Sequence, residues 1–278
     1  PSHLVSSPGW GPALCGSARG VRSDGPGSRQ EGALGLIRSH HAHGHAEPLD
    51  AVGEVEVQPS GDTLWQRRDE LLDNGKLPGQ KLTATLMFTD LRGFSSLSEQ
   101  YSPEQLLAWL NEYLDEMAHL VQQHQGVINK FTGDGIMAVF GVPIAHEHPD
   151  EIQRDACNAV DCAIAMSHTL DTLNQTWHSH GLPKVEMRVG IFTGPAMVGS
   201  LGSKIRLEYG VIGDSVNIAS RLESLDKERQ PSPCRILIAQ QTQNYLGENY
   251  QLETWGATSL KGKALQVDVF RVLGKDPA

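Results

Sequence analysis

The sequence predicts an α+β fold whose sheet is largely antiparallel. Two observations carry that expectation. From Lys81 onward, strand-like and helix-like apolar patterns alternate. Hairpin signals then interrupt the alternation, the clearest being Thr132-Gly133-Asp134-Gly135 between two short apolar runs. Strands and helices mixed with hairpins indicate α+β rather than a repeating parallel α/β unit.

In chain order, LTATLMF (82–88) reads as a strand, with Asp90 just beyond its end. A helix follows over 103–124. Ser102 is its N-cap, Pro103 occupies N1, and Gln105 at N3 completes a capping box. Leu106, Leu107, Leu110, Leu114, Met117 and Val121 recur along it at helical spacing. VINKF and IMAVF form the hairpin strands. A second long helix is expected over 150–179, then strands over 185–192, 196–199 and 207–212, and a third helix over 215–225. The strand RILIA, a short helix over 241–246 and the strands YQLETW and VDVFRV complete the pattern.

Composition sets the domain limits. The 278 residues suffice for one large domain or two small ones, and 39% hydrophobic with 20% charged content is ordinary for a globular protein. Residues 1–61 are rich in Gly, Ser, Pro and His, with little apolar periodicity. Such a segment cannot bury enough apolar area to offset its ordering entropy, and it is read as disordered. Its cluster His40, His41, His43 and His45 lacks Cys or acidic partners at fixed spacing and is a weak metal-ligand set. Residues 62–80 are read as a short helix (63–73, capped by Asp62 or Thr63 and stopped by Asn74-Gly75) and a linker. The folded domain is expected over 81–273, with 274–278 as a tail.

The net charge of -10 argues against a nucleic-acid-binding protein, because a phosphate backbone needs a basic footprint. Cys15, Cys157, Cys162 and Cys234 make no CxxC pair and read as thiols of a reducing compartment. No run is apolar enough to span a bilayer, and the start lacks a signal-peptide pattern. A cytoplasmic location is expected, possible also for the cytoplasmic part of a membrane-bound protein.

Three sets of residues carry chemistry. Asp90 and Asp134 each read alone as a turn residue. As a pair on neighbouring strands, they can meet at one sheet edge, where their charges repel unless a cation lies between them. Magnesium favours few carboxylates together with phosphate oxygens and water. In the third helix Asn217 and Arg221 are four apart and share a face, offering a neutral and a charged donor to a ribose and a phosphate. In Leu260-Lys261-Gly262-Lys263, the glycine lets backbone approach an anion.

FTDLRGFS, KFTGDGIMAVFG, RVGIFTG…VGSLGS, YGVIGDSVNIASRLE and LKGK occur in this order. Together they resemble the catalytic domain of the class III nucleotidyl cyclases, the adenylate and guanylate cyclases, most nearly the bacterial and cyanobacterial ones. The likeness extends over about 81–273. It implies a ferredoxin-like βαββαβ palm core with a flanking α/β subdomain, a homodimer with two active sites between subunits, and two divalent metal ions (Mg2+ or Mn2+). Similar domains often sit on membrane-bound sensors. The resemblance assigns Asp90, Asp134 and the Leu91 carbonyl to the metals, and Asn217 and Arg221 to the ribose and the transition state. It assigns Lys261 and Arg235 to the phosphates. One subunit would supply the aspartates and the other Asn217, Arg221 and Lys261.

Lys130 matches the position that is Lys in adenylate cyclases and Glu in guanylate cyclases. Adenine N1 is an acceptor and suits a lysine, whereas guanine presents donors there and suits a carboxylate. ATP is therefore the expected substrate and cyclic AMP the product. The partner position is Gly210, which has no side chain to accept from the adenine 6-amino group, so a backbone carbonyl or water takes that place and discrimination against GTP is weakened. Guanylate or relaxed specificity is the alternative within the family. A non-catalytic module would have lost metal or transition-state residues, yet Asp90, Asp134, Asn217 and Arg221 are all present. A diguanylate cyclase would carry GG(D/E)EF where this chain has Thr132-Gly133-Asp134-Gly135.

Overall fold

The computed structural model describes residues 78–94, 97, 100–143, 146, 148–203, 207–259 and 266–277. The expectations for the segment 1–61, the helix over 63–73 and the turn containing Lys261 lie outside the described residues.

The elements are β1 (Gln80–Arg92), α1 (Pro103–Gln123), β2 (Val127–Thr132), β3 (Gly135–Phe140), α2 (Pro149–Ser179) and β4 (Glu186–Gly202). They continue with β5 (Leu207–Ile212), α3 (Asp214–Glu223), β6 (Cys234–Ala239), α4 (Gln240–Gln243), β7 (Tyr250–Ser259) and β8 (Gln266–Lys275). One sheet has the order β2-β3-β1-β4-β6-β8-β7, with β5 paired to β4. Only β4 and β6 pair in parallel among these strands. The first six elements run βαββαβ, and their strands lie in the order β2-β3-β1-β4, which is the expected palm.

The sheet is covered on both faces. Met87 and Leu91 of β1 join Tyr113 and Met117 of α1 and Met166 and Leu170 of α2 in one core. Ala84 and Leu86, one step along the strand and so on the other face, join Ile218, Ala219 and Leu222 of α3 in a second. β3 and β6 are buried along their whole length, which explains why their sequences are unbroken apolar runs.

Local sequence explains most boundaries. The Ser102 side chain accepts from the Gln105 amide, and the Gln105 side chain accepts from the Ser102 amide, so the capping box closes as expected. The buried stripe of α1 differs, however. Trp109, Tyr113, Met117 and Val121, each four apart, face the core, while Leu107 is 59% exposed. The aromatic residues bury more surface per position than the leucines beside them. Trp109 stacks on Phe94 and meets Trp177 edge-on.

Two strand limits also differ. β1 continues to Arg92 because β4 pairs with it as far as Glu186, so Asp90 lies inside the strand. β4 is one strand, although Thr193-Gly194-Pro195 reads as a break. β1 pairs along it continuously, while β6 pairs only with Met187 to Ile191 and β5 begins at Met197. On that edge Pro195 falls in the gap, where no ladder bond needs its missing N–H.

Candidate active site

The hairpin between β2 and β3 delivers Asp134 to the end of β1. Thr132 pairs with Gly135, so Gly133 and Asp134 are the two turn residues. The positive φ falls on Gly133, the first turn position, rather than on Asp134. Gly135, expected as the turn glycine, instead allows a close approach: a Cβ there would lie 2.2 Å from the Thr89 carbonyl oxygen. The Ile136 amide donates to Thr89 Oγ1 at 3.0 Å and fixes the same contact.

This places Asp90 and Asp134 together. Burial first, and then the charge of Asp90, push the Asp134 carboxyl above the ordinary carboxylate value. Hydrogen bonds from the Asp134 and Leu91 backbone, and the charge of Arg188, pull the other way. Among the described residues no three His, Cys, Asp or Glu side chains gather as a metal cage. Two mutually repelling carboxylates fit a hard divalent cation that takes its remaining oxygens from phosphate and water.

Arg188 is a member of this site that sequence reasoning missed. In the strand register it stands opposite Asp90, and its Nη2 donates to Asp90 Oδ2. Its Nε lies 3.1 Å from Glu223 Oε1 on α3. Burial, followed by the charge of Asp90, raises Glu223 to about 7 in spite of that contact. An arginine in the run RVGIF carries no signal of this role, which appears only once the register is known.

α3 presents Asn217 and Arg221 differently. Gly190 of β4 meets the Ala219 carbonyl and the Glu223 amide, so residues 219 and 223 face the sheet. Two residues along a helix is a rotation of about 200°, which turns Asn217 and Arg221 away from it. Asn217 is exposed and Arg221 half-buried. The structure brings these two together, and it brings Asp90 and Asp134 together, but within one chain the two pairs face different ways.

The strands that carry Lys130 and Gly210 are tied by a bond between the residues beside them. The β2–β3 register shifts between Ile128 and Lys130. Asn129, in that bulge, donates to the Tyr209 carbonyl at 2.6 Å. Lys130 is exposed and Gly210 buried. A Cβ on Gly210 would lie 2.5 Å from Leu201 Cβ, so Leu201 keeps that position bare. Asn129 is a second residue missed from sequence, since the bulge that aims it is not readable there.

Arg235 corrects an expectation. It is 0% exposed. Its guanidinium donates to the carbonyls of Glu223, Asp226 and Arg229, and it lies beneath the Trp255 ring. It clamps the loop leaving α3 and presents no exposed donor to a phosphate. Lys261 lies outside the described residues.

Known proteins agree with this fold. The family model for the adenylate and guanylate cyclase catalytic domain matches residues 78–273, and the chain belongs to that family. It is 36% identical to adenylate cyclase 1 of Rhizobium meliloti (strain 1021), over 82% of this chain and 36% of that protein. It is 34% identical to an adenylate cyclase of Anabaena cylindrica, over 68% of this chain and 36% of that one. The chain thus spans about a third of the length of these curated relatives. The crystal structure of the adenylyl cyclase CyaB from P. aeruginosa superposes with a TM-score of 0.66 at 36% identity, covering 72% of this chain and 97% of that one. The guanylyl cyclase Cya2 gives 0.62 at 35% identity, covering 71% and 94%. Catalytic domains of this family generally use divalent metal ions. Among the described residues no helix is long and apolar enough to cross a membrane.

Proposed function

We propose that the chain carries the catalytic domain, at 81–273, of an adenylate cyclase that converts ATP to 3′,5′-cyclic AMP and pyrophosphate in intracellular signalling. It acts in the cytoplasm as a homodimer. The observation that carries this reading is the approach of the Asp134 hairpin to β1 beside Asp90, fixed by the contacts of Gly135 and Ile136 with Thr89.

In the reaction the ribose 3′-oxygen attacks the α-phosphorus in line, and the bond from that phosphorus to pyrophosphate breaks. Divalent ions (Mg2+ or Mn2+), when bound, acidify the attacking hydroxyl and neutralise the triphosphate. Asp90, Asp134 and the Leu91 carbonyl are the groups that would hold them. Asn217 orients the ribose. Arg221 meets the charge that grows on the α-phosphate oxygens, a role whose loss typically costs on the order of 100-fold or more in rate. Lys261 binds the triphosphate. Lys130 donates to adenine N1.

Asn217 and Arg221 face away from the aspartates of their own chain, which supports a site completed by a second subunit. So do Phe131, Met197, Leu201 and Ile212, large apolar side chains left exposed on β2, β4 and β5. Gly210 favours a second reading, a cyclase of relaxed specificity that also accepts GTP. One experiment tests both. The purified chain is incubated with ATP or GTP and Mg2+ or Mn2+, and the products are separated by chromatography. Cyclic AMP as the main product is expected. A dimeric preparation that makes neither cyclic nucleotide sinks the reading.

A further inference from the structure

Arg188 is 5% exposed and Glu223 9%. The pair lies on the face of the sheet covered by α3, level with Asp90. Opposed residues of an antiparallel pair present their side chains to one face, and the register opposes Arg188 to Asp90. The guanidinium makes a charge-assisted bond to Asp90 through Nη2. Its Nε and Glu223 Oε1 stand 3.1 Å apart but are not aligned as a hydrogen bond, and both atoms are buried without another partner. The aligned contact is therefore the one to Asp90, and the Glu223 contact holds the arginine against α3.

Two carboxylates, Asp90 and Glu223, contact this one guanidinium, and its charge also acts on Asp134. An arginine fork is planar and rigid. A carboxylate bonded to it through one oxygen has its orientation set and part of its charge offset. A liganding carboxylate held by such a partner binds metal better than one left to swing, and loss of the partner typically costs about 10–100-fold in metal affinity.

We propose that Arg188 is a positioning residue for metal binding: it orients the Asp90 carboxylate, with Glu223 anchoring the guanidinium to α3. The proposal rests on the reading of Asp90 and Asp134 as metal ligands. It extends that reading to the buried pair of Arg188 and Glu223 beside Asp90.

The test uses the full chain and Mn2+, with free Mn2+ followed by its electron paramagnetic resonance signal in the presence of 3′-deoxy-ATP, which cannot cyclise. The double variant Arg188→Met with Glu223→Gln removes both buried charges and leaves neither unpaired. Its Mn2+ dissociation constant is expected to rise about tenfold or more. Its cyclase activity should fall far more at limiting than at saturating Mn2+, and Arg188→Lys should recover part of the affinity. A folded double variant that binds Mn2+ within about twofold of the parent overturns the proposal. So does an equal loss of activity at all Mn2+ concentrations, which is the mark of a structural role. If the double variant does not fold, Arg188→Lys decides, because unchanged Mn2+ affinity there overturns the proposal too. A parent chain that binds no Mn2+ beside the nucleotide removes the metal reading itself, whatever Arg188 does.

Discussion

A Cβ placed on Gly190 would lie 2.2 Å from the backbone nitrogen of Glu223. At this point α3 rests on β4 backbone to backbone, and the contact sets the height of the helix that carries Asn217 and Arg221. Gly190→Ala must lift it. Overpacking of this kind costs about 1–3 kcal/mol, and each kcal/mol lowers Tm by about 2–4 °C in a domain of this size. Displacement of Arg221 by about 1 Å can cost on the order of 100-fold in rate. Thermal melts and product assays on Gly190→Ala should show both losses. An unchanged Tm would mean that α3 has room the geometry denies it.

The pH dependence of the metal-free fold follows from Glu223. Its folded value is raised from 4.5 to about 7, by burial first and then by Asp90 on β1. Arg188 on β4, Lys227 beyond α3 and Arg235 on β6 oppose the shift. A carboxyl with a raised folded value contributes stability that is fully present below its unfolded value and is lost as pH rises through the folded one. At about 1.4 kcal/mol for each pH unit between those values, the loss approaches about 3 kcal/mol above neutrality. Glu223→Gln has no such titration. Melts without metal at about pH 5 and about pH 8 should show the parent falling relative to the variant. Parallel curves would show that Glu223 is already ionised at the lower pH.

The parts of this site that could be read in the sequence were those whose signal is local. Ser102 and Gln105 sit at the spacing a capping box needs, and Thr132 to Gly135 carries its own turn chemistry, so the helix start and the hairpin holding Asp134 were legible. The meeting of Asp90 and Asp134 followed from placing that hairpin beside β1. Arg188 and Asn129 were not legible, because their roles depend on a register and a bulge that involve residues far away in the chain. Arg235 shows the opposite failure. Its position beside Cys234 matched a phosphate-binding arginine, but the loop after α3 folds over it and three carbonyls take its donors.

The proposed division of labour between subunits predicts complementation. Asp134→Asn removes a carboxylate from the sheet edge, and Arg221→Ala removes the donor on the outer face of α3. Each variant alone should lose about 100-fold or more in kcat. Mixed and allowed to exchange subunits, half of the dimers should be heterodimers, each with one site of wholly native residues and one doubly defective site. Recovery to about a quarter of parental activity is therefore expected. No recovery, with exchange shown by differently tagged chains, would place all four residues in one subunit's site.

The proposed reading of the base rests on Lys130 and Gly210, with Leu201 packed against the latter. Lys130→Glu replaces the donor for adenine N1 with an acceptor for guanine. An unpaired polar group costs about 1–3 kcal/mol, so the ratio of kcat/KM for ATP over GTP should fall by about 10–100-fold. Gly210 is the complementary test. A threonine there could accept from the adenine 6-amino group, but its Cβ would lie 2.5 Å from Leu201 Cβ. A clash between two Cβ atoms is not relieved by a rotamer change, so Gly210→Thr alone should lower Tm without raising selectivity. Gly210→Thr with Leu201→Gly removes the obstructing atom and should raise the ATP-to-GTP ratio above that of the parent. Parallel kcat/KM measurements with the two nucleotides, alongside melts, separate the outcomes. If Gly210→Thr alone improves selectivity at unchanged Tm, Leu201 is not what keeps position 210 bare.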